Sequence, residues 1–285
     1  MLGLPALLTF SECWHRFLGS DREVQVRIIL ASTSLLIALL AVPSRTAYGQ
    51  DTVSFPPPDR IAIRDMAAVP AVDLTERLHL HTIVGATGSI SFGELDSGAV
   101  VPLHHHSREQ ADVTLSGRME VTLGQNTQAL PPGYGVLIPI DVSHSLANPG
   151  PARTTAIEFH TAPRPDLVPP RPAVQFPSSS VARPLLDAHG AVARLDTASG
   201  SMMSGRTCVV RWRWVRTTVD VHPSPTPTEL FIYVTQGVAE LEAEGRTAML
   251  REGSLVLVPT AVVHARIRAV GSYDVGLLEF QVRTP

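Results

Sequence analysis

The stretch Gly98-Ala99-Val100-Val101-Pro102-Leu103-His104-His105-His106-Ser107-Arg108-Glu109-Gln110-Ala111-Asp112-Val113-Thr114-Leu115-Ser116-Gly117 decides how the rest of the chain reads. Alternation along a strand turns His104 and His106 to one face. Two imidazoles on one face are the usual start of a transition-metal site. A second stretch, Gly133-x5-Pro139-x4-His144-x3-Asn148, supplies a third histidine on a separate strand.

Around both stretches, short runs rich in Val, Ile, Leu and Thr alternate with Gly, Pro and Asn turns. Gly117 to Leu123, Gly133 to Pro139 and Gly253 to Pro259 are examples. No strong helical periodicity follows residue 50, so the pattern points to an all-β sandwich or barrel. A shift of 120 residues aligns Gly85 to Asn148 with the second half of the chain without a gap. Glu109 falls on Glu229, Gly117 on Gly237, Glu120 on Glu240, Leu130 on Leu250, Gly133 on Gly253, Pro139 on Pro259 and His144 on His264, while Phe92 answers to Trp212. Glycines and prolines that coincide mean the same turns recur, so one β-barrel domain has been duplicated.

Together the two stretches resemble the motifs of the cupin superfamily, G-x5-H-x-H-x3/4-E-x6-G and G-x5-P-x-G-x2-H-x3-N. The resemblance extends from about residue 69 onward as a two-barrel bicupin. It implies an all-β fold of two tandem cupin (double-stranded β-helix, or jelly-roll) barrels. It also implies one divalent transition metal (Fe, Mn, Ni or Zn) held by His104, His106, Gln110 and His144. Gln110 stands where the motif has Glu, and Asp141 where it has Gly. Four neutral ligands would leave the full +2 charge on the metal, which draws carboxylates or enolates. Asp141 asks for a different turn before His144. In the second repeat Ser224 and Thr226 replace the paired imidazoles, Leu230 replaces Gln110, and prolines 223, 225 and 227 interrupt any strand ladder. Only His264 survives, with His222 nearby, and a lone imidazole reads as a hydrogen-bonded pocket residue.

Asp112 and Thr114 share strand parity with Gln110 and should point into the same barrel. Asp112 is the candidate acid or base; the competing role is to orient a ligand histidine. Thr114 is a candidate substrate contact. So are Glu158 and His160, on the last strand of the first repeat, which borders the cavity in cupins. His105 should face away from the ligands, and His79 and His81 read as ordinary sheet residues. Arg211-Trp212-Arg213-Trp214 reads as a strand with one buried aromatic face.

Composition removes several classes. Net charge is -3, so no basic footprint for nucleic acid exists. All 23 basic residues are Arg, which excludes lysine Schiff bases, PLP chemistry and a Walker A loop. Cys13 and Cys208 are too few for a disulfide framework, and Cys208 reads as a small core residue. Arg27, the apolar run Ile28 to Val42 and Ala47-Tyr48-Gly49 before Gln50 read as an export signal; the alternative is an uncleaved membrane anchor. The organisation expected is signal or anchor 1–49, arm 50–68, first barrel 69–162, Pro-rich linker 163–180 and second barrel 181–285. Taken with the export signal, the resemblance implies an exported metal-dependent enzyme, of dioxygenase or isomerase type, acting on a small oxygen-rich molecule such as a phenolic or a sugar acid. The alternative is a non-catalytic binding or storage cupin with structural or absent metal. A small-molecule ligand and a homodimer are the partners implied, with a membrane only if the N-terminal segment stays uncleaved.

Overall fold

The computed structural model describes residues 53–54, 60–162, 183–184, 202–221, 229–262 and 264–283. The signal or anchor segment 1–49, the linker 163–180, and His222, Ser224 and Thr226 lie outside the described residues.

Runs of alternating side chains form strands because each can bury one face. In Gly88–Leu95, Ile90 is fully buried with Phe92 packed beside it, while Ser89 and Ser91 point to the opposite face. In the first barrel an eight-stranded sheet carries Leu78–Val84, Gly88–Leu95, Thr154–Thr161, Gln110–Ser116 and Gly135–Ile138. A four-stranded sheet of Val100–His104, His144–Ala147, Met119–Leu123 and Asn126–Leu130 completes the barrel. The second barrel repeats the plan with a six-stranded and a four-stranded sheet. Register places His144 opposite His104, Gln110 opposite His160 and Asp112 opposite Glu158. Those pairings bring the chemistry to one place.

Two short strands cross between the barrels. Ala62–Asp65 precedes the first barrel in sequence yet pairs with Ser254–Val258 of the second. Arg183–Pro184 pairs with Gly135–Ile138 of the first. Each repeat therefore lends its leading strand to the other's sheet, and part of the 50–68 arm is built into the second barrel.

An apolar core joins the barrels. Ile90, Ala111, Val113, Ile157 and Phe159 of the first meet Val210, Trp212, Phe231, Tyr233, Leu278 and Phe280 of the second. Phe159 stacks on Phe280 at 5.1 Å and meets Phe231 edge-on at 5.3 Å. Cys208 lies in this core; burial, with the charge of Glu109 adding to it, raises its thiol far above the ordinary range and keeps it inert. Trp212 faces the same core, while Arg211 and Arg213 point the other way and pair with the buried Glu279.

The barrel interiors differ. In the second, Leu230, Ile232, Val234, Val256, Ile267 and Leu277 pack into an apolar cluster. Gln110, Asp112 and Thr114 occupy the matching places of the first three in the first barrel. The first barrel thus keeps buried polar atoms that must be satisfied, and the second fills the same space with hydrocarbon.

Candidate metal centre

The strand Val100–His104 ends at His104, and His106 lies beyond it in the loop 105–109. A bend rather than strand alternation therefore brings the second imidazole back to the first. The ring centroids of His104 and His106 are 5.8 Å apart, those of His104 and His144 4.2 Å, and those of His106 and His144 5.0 Å. One ring nitrogen from each lies within 4.8 Å of the others. His104 is exposed, His106 half-buried and His144 fully buried, so the cluster opens to solvent on one side.

Each Nδ1 is tied to a carbonyl oxygen at 2.8 Å: His104 to Pro102, His106 to Arg108 and His144 to Val142. A carbonyl only accepts, so each Nδ1 carries the hydrogen and each neutral ring leaves Nε2 bare. Burial lowers the pKa of His106, and lowers that of His144 to about 4, so both rings are neutral near pH 7. Yet Nε2 of His106 stands 2.7 Å, and Nε2 of His144 3.1 Å, from Oε1 of Gln110. Lone pairs meet lone pairs at those distances, and a cation among them turns repulsion into attraction. Three imidazoles and an amide oxygen are a donor set that suits a divalent transition ion. The residues present therefore fit such a metal.

The amide of Gln110 is aimed by what lies behind it. Its Nε2 donates to Oδ1 and Oδ2 of Asp112 at 3.0 and 2.9 Å, and stands 3.4 Å from Oε2 of Glu158. Asp112 is fully buried and orients the glutamine rather than a histidine. Burial and then the charge of Glu158 push its carboxyl well above the usual range. Burial pushes Glu158 the same way, but the charge and hydrogen bond of His160, with His106 and Arg108 behind, hold its carboxyl below the usual range. Of the two acids, Glu158 carries the charge and Asp112 the proton. Glu158 Oε1 lies 3.1 Å from His160 Nε2, and the His160 ring is 4.9 Å from that of His106. Thr114 is buried in the same barrel, and its hydroxyl has no partner among the described residues.

Asp141 has a φ of +60°, the left-handed conformation that glycine takes freely and that aspartate tolerates better than most residues. His105 is exposed, 3.9 Å from the Asp141 carboxylate. His79 binds Asp73 at 2.6 Å, and His81 donates through Nδ1 to the Val69 carbonyl at 2.6 Å, as sheet residues do. His264 is exposed and borders a surface hollow with Asp220, Glu242 and Arg266. It lies outside the apolar interior.

Residues 91–158 match the family model for the cupin domain. The first barrel is a cupin domain. The matched segment contains His104, His106, Gln110, His144, Asp112, Thr114 and Glu158; His160 lies two residues beyond it on the same strand. Comparison with curated protein sequences gives no match. Solved structures of similar fold include AerE from Microcystis aeruginosa, at 15% identity over 75% of this chain and 96% of that one, with a TM-score of 0.58. Another is a putative glyoxylate induced protein from Pseudomonas aeruginosa, at 13% identity over 78% and 88%, with a TM-score of 0.61. A third is oxalate decarboxylase of Bacillus subtilis, a protein with Mn(II) centres, at 14% identity over 76% of each chain and a TM-score of 0.54. At these identities the likeness establishes the fold.

Two residues at the cupin site carry no motif signal. Arg108 reaches toward the centre: its charge lowers both His106 and Glu158, and its Nε is buried without a partner among the described residues. Glu109 is buried too, and in the sequence it coincides with Glu229 in the repeat.

Proposed function

We propose that the first barrel is the active site of a metal-dependent enzyme acting on a small oxygen-rich acid, a sugar acid or a phenolic acid. The observation that carries this reading is the convergence of two imidazole Nε2 atoms on the glutamine oxygen while the Nδ1 of each ring is tied to a backbone carbonyl. A divalent transition metal bound there would supply Lewis acidity toward substrate oxygens. Because all four ligands are neutral, nothing in that set cancels the positive charge, and the Arg108 guanidinium adds to it. An anionic substrate is the ligand such a field favours.

The chain's own residues suggest proton transfer, the isomerase type, ahead of oxygenation. Glu158 Oε1 and His160 Nε2 stand 3.1 Å apart at the edge of the metal cluster, and the Glu158 side chain is 23% exposed while Asp112 is sealed behind Gln110. Glu158 can therefore reach a substrate hydrogen as base, with His160 holding its charge. Asp112 serves as a positioning residue that keeps the Gln110 oxygen on the histidines.

The test is a screen of sugar acids and phenolic acids with the metal-loaded chain, with and without O2, beside Glu158→Gln. Turnover without O2 consumption, falling at least 100-fold in Glu158→Gln, is the expected result, since a positioned acid or base contributes roughly 100- to 10,000-fold. Turnover that consumes O2 moves the dioxygenase reading to the front. Metal binding with no turnover on any acid supports the binding or storage cupin.

A further inference from the structure

Two buried glutamates join the barrels, and only one of them stands in the metal-binding loop. Glu109 Oε1 accepts the Arg206 N–H at 2.8 Å, and its Oε2 accepts the Thr207 N–H at 2.7 Å and the Thr207 hydroxyl at 2.9 Å. Gly205 is required beside it, because a Cβ there would lie 2.6 Å from Oε2. The same joint recurs with the roles of the barrels exchanged. Glu229 Oε2 accepts the Thr87 N–H at 2.8 Å and the Thr87 hydroxyl at 3.0 Å, and a Cβ on Gly85 would lie 2.7 Å from it. Even the turns agree: Gly205 donates to the Cys208 carbonyl and Gly85 to the Gly88 carbonyl, both at 2.8 Å. Duplication has thus produced two versions of one joint, related by the 120-residue shift; in the Glu229 version Oε1 is buried with no hydrogen-bond partner among the described residues.

What each glutamate's neighbours do differs. Glu109 is followed by Gln110, and the loop before it carries His106, whose ring is held by the Arg108 carbonyl. The Glu109 N–H donates to the Thr161 hydroxyl at 3.2 Å, and its carbonyl accepts the Thr161 N–H at 3.1 Å, which ties the loop to the strand end that carries His160. Glu229 is followed by Leu230, a buried hydrocarbon in the filled second barrel. One joint is therefore fastened to two of the four metal-site donors, while in the other the adjacent residue is apolar core.

Resting on the metal reading above, we propose that the second barrel is a positioning element for the first barrel's metal centre. It holds the loop from His106 to Gln110 by the grip of Arg206 and Thr207 on Glu109, and its twin joint at Glu229 contributes stability alone. The physical reason is that a buried carboxylate with three donors cannot shift without losing them, and a ligand one residue away shifts with it.

The symmetry supplies its own control. Thr207→Val and Thr87→Val remove the same hydroxyl from the two joints, and Glu109→Gln and Glu229→Gln weaken the same acceptor. Each would be made in the full chain and titrated with Co(II), reading affinity by chelator competition, ligand geometry by the visible spectrum, and apo melting temperature by circular dichroism. The expected result is a lower apo melting temperature in both members of each pair. Only Thr207→Val and Glu109→Gln should also weaken Co(II) binding, by about 10- to 100-fold, the range for partners behind a ligand, and alter the spectrum. Thr207→Ser, which keeps the hydroxyl, restores both. Equal weakening in both twins, or none in either, overturns the inference while leaving the metal site standing. A wild-type chain that takes up no Co(II) overturns the metal reading and this inference together. If Thr207→Val does not fold, the glutamine pair decides alone.

Discussion

Gln110→Glu, the change that would restore the motif's own residue, is expected to destabilise the metal-free chain by roughly 3 kcal/mol, the scale of leaving buried acceptors without their donor. Gln110 is 1% exposed, and its Nε2 supplies hydrogen bonds to both oxygens of Asp112 while facing Glu158. A glutamate there has no N–H to give, and it adds a third carboxyl beside buried Asp112 and half-buried Glu158, which already share a single charge between them. Metal reverses the sign of the effect, because the added carboxylate then faces a cation. Urea unfolding with and without Mn(II) should show the variant less stable than wild type when apo, and a larger stabilisation by metal. An apo variant as stable as wild type would mean that the amide is not what satisfies Asp112. Glutamine at this position is, on this account, matched to Asp112 and Glu158 rather than a weakened copy of the motif.

The second large effect concerns the joint core. Phe280→Ala should cost about 3–5 kcal/mol, the usual range for emptying a fully buried aromatic site. Phe280 is 0% exposed and stacks on Phe159 of the other barrel, so the cavity would open between the domains. Because one apolar cluster draws on both barrels and each lends a strand to the other's sheet, unfolding should remain a single transition displaced to lower urea. Two separated transitions would show that the barrels fold independently and that the shared core contributes less than its burial suggests.

Much of this architecture was legible in sequence because its signals are local. Strand alternation and the recurrence of Gly and Pro turns need no long-range information, so the β class and the duplication could be read directly. The histidines are legible through spacing, although strand alternation does not account for His106, which sits in a loop past the strand end, held by the Arg108 carbonyl. Other features depend on contacts no local pattern encodes. Parity placed Asp112 with Gln110, but only the packed barrel shows that it grips the glutamine amide rather than a histidine. Glu109 points out of its own barrel, so its partners are set by Thr207, almost a hundred residues away. The exchanged strands Ala62–Asp65 and Arg183–Pro184 are too short to announce which sheet they join.

On the metal reading, the first barrel holds one ion and the second holds none. Elemental analysis of the full chain, beside a His104→Ala/His106→Ala double variant, tests it most directly. About one transition-metal ion per chain is expected in wild type and none in the variant, since three neutral imidazoles and one amide form a single donor set. About two ions per chain would contradict the apolar reading of the second barrel, and none after reconstitution with Fe, Mn, Ni and Zn would contradict the metal centre itself.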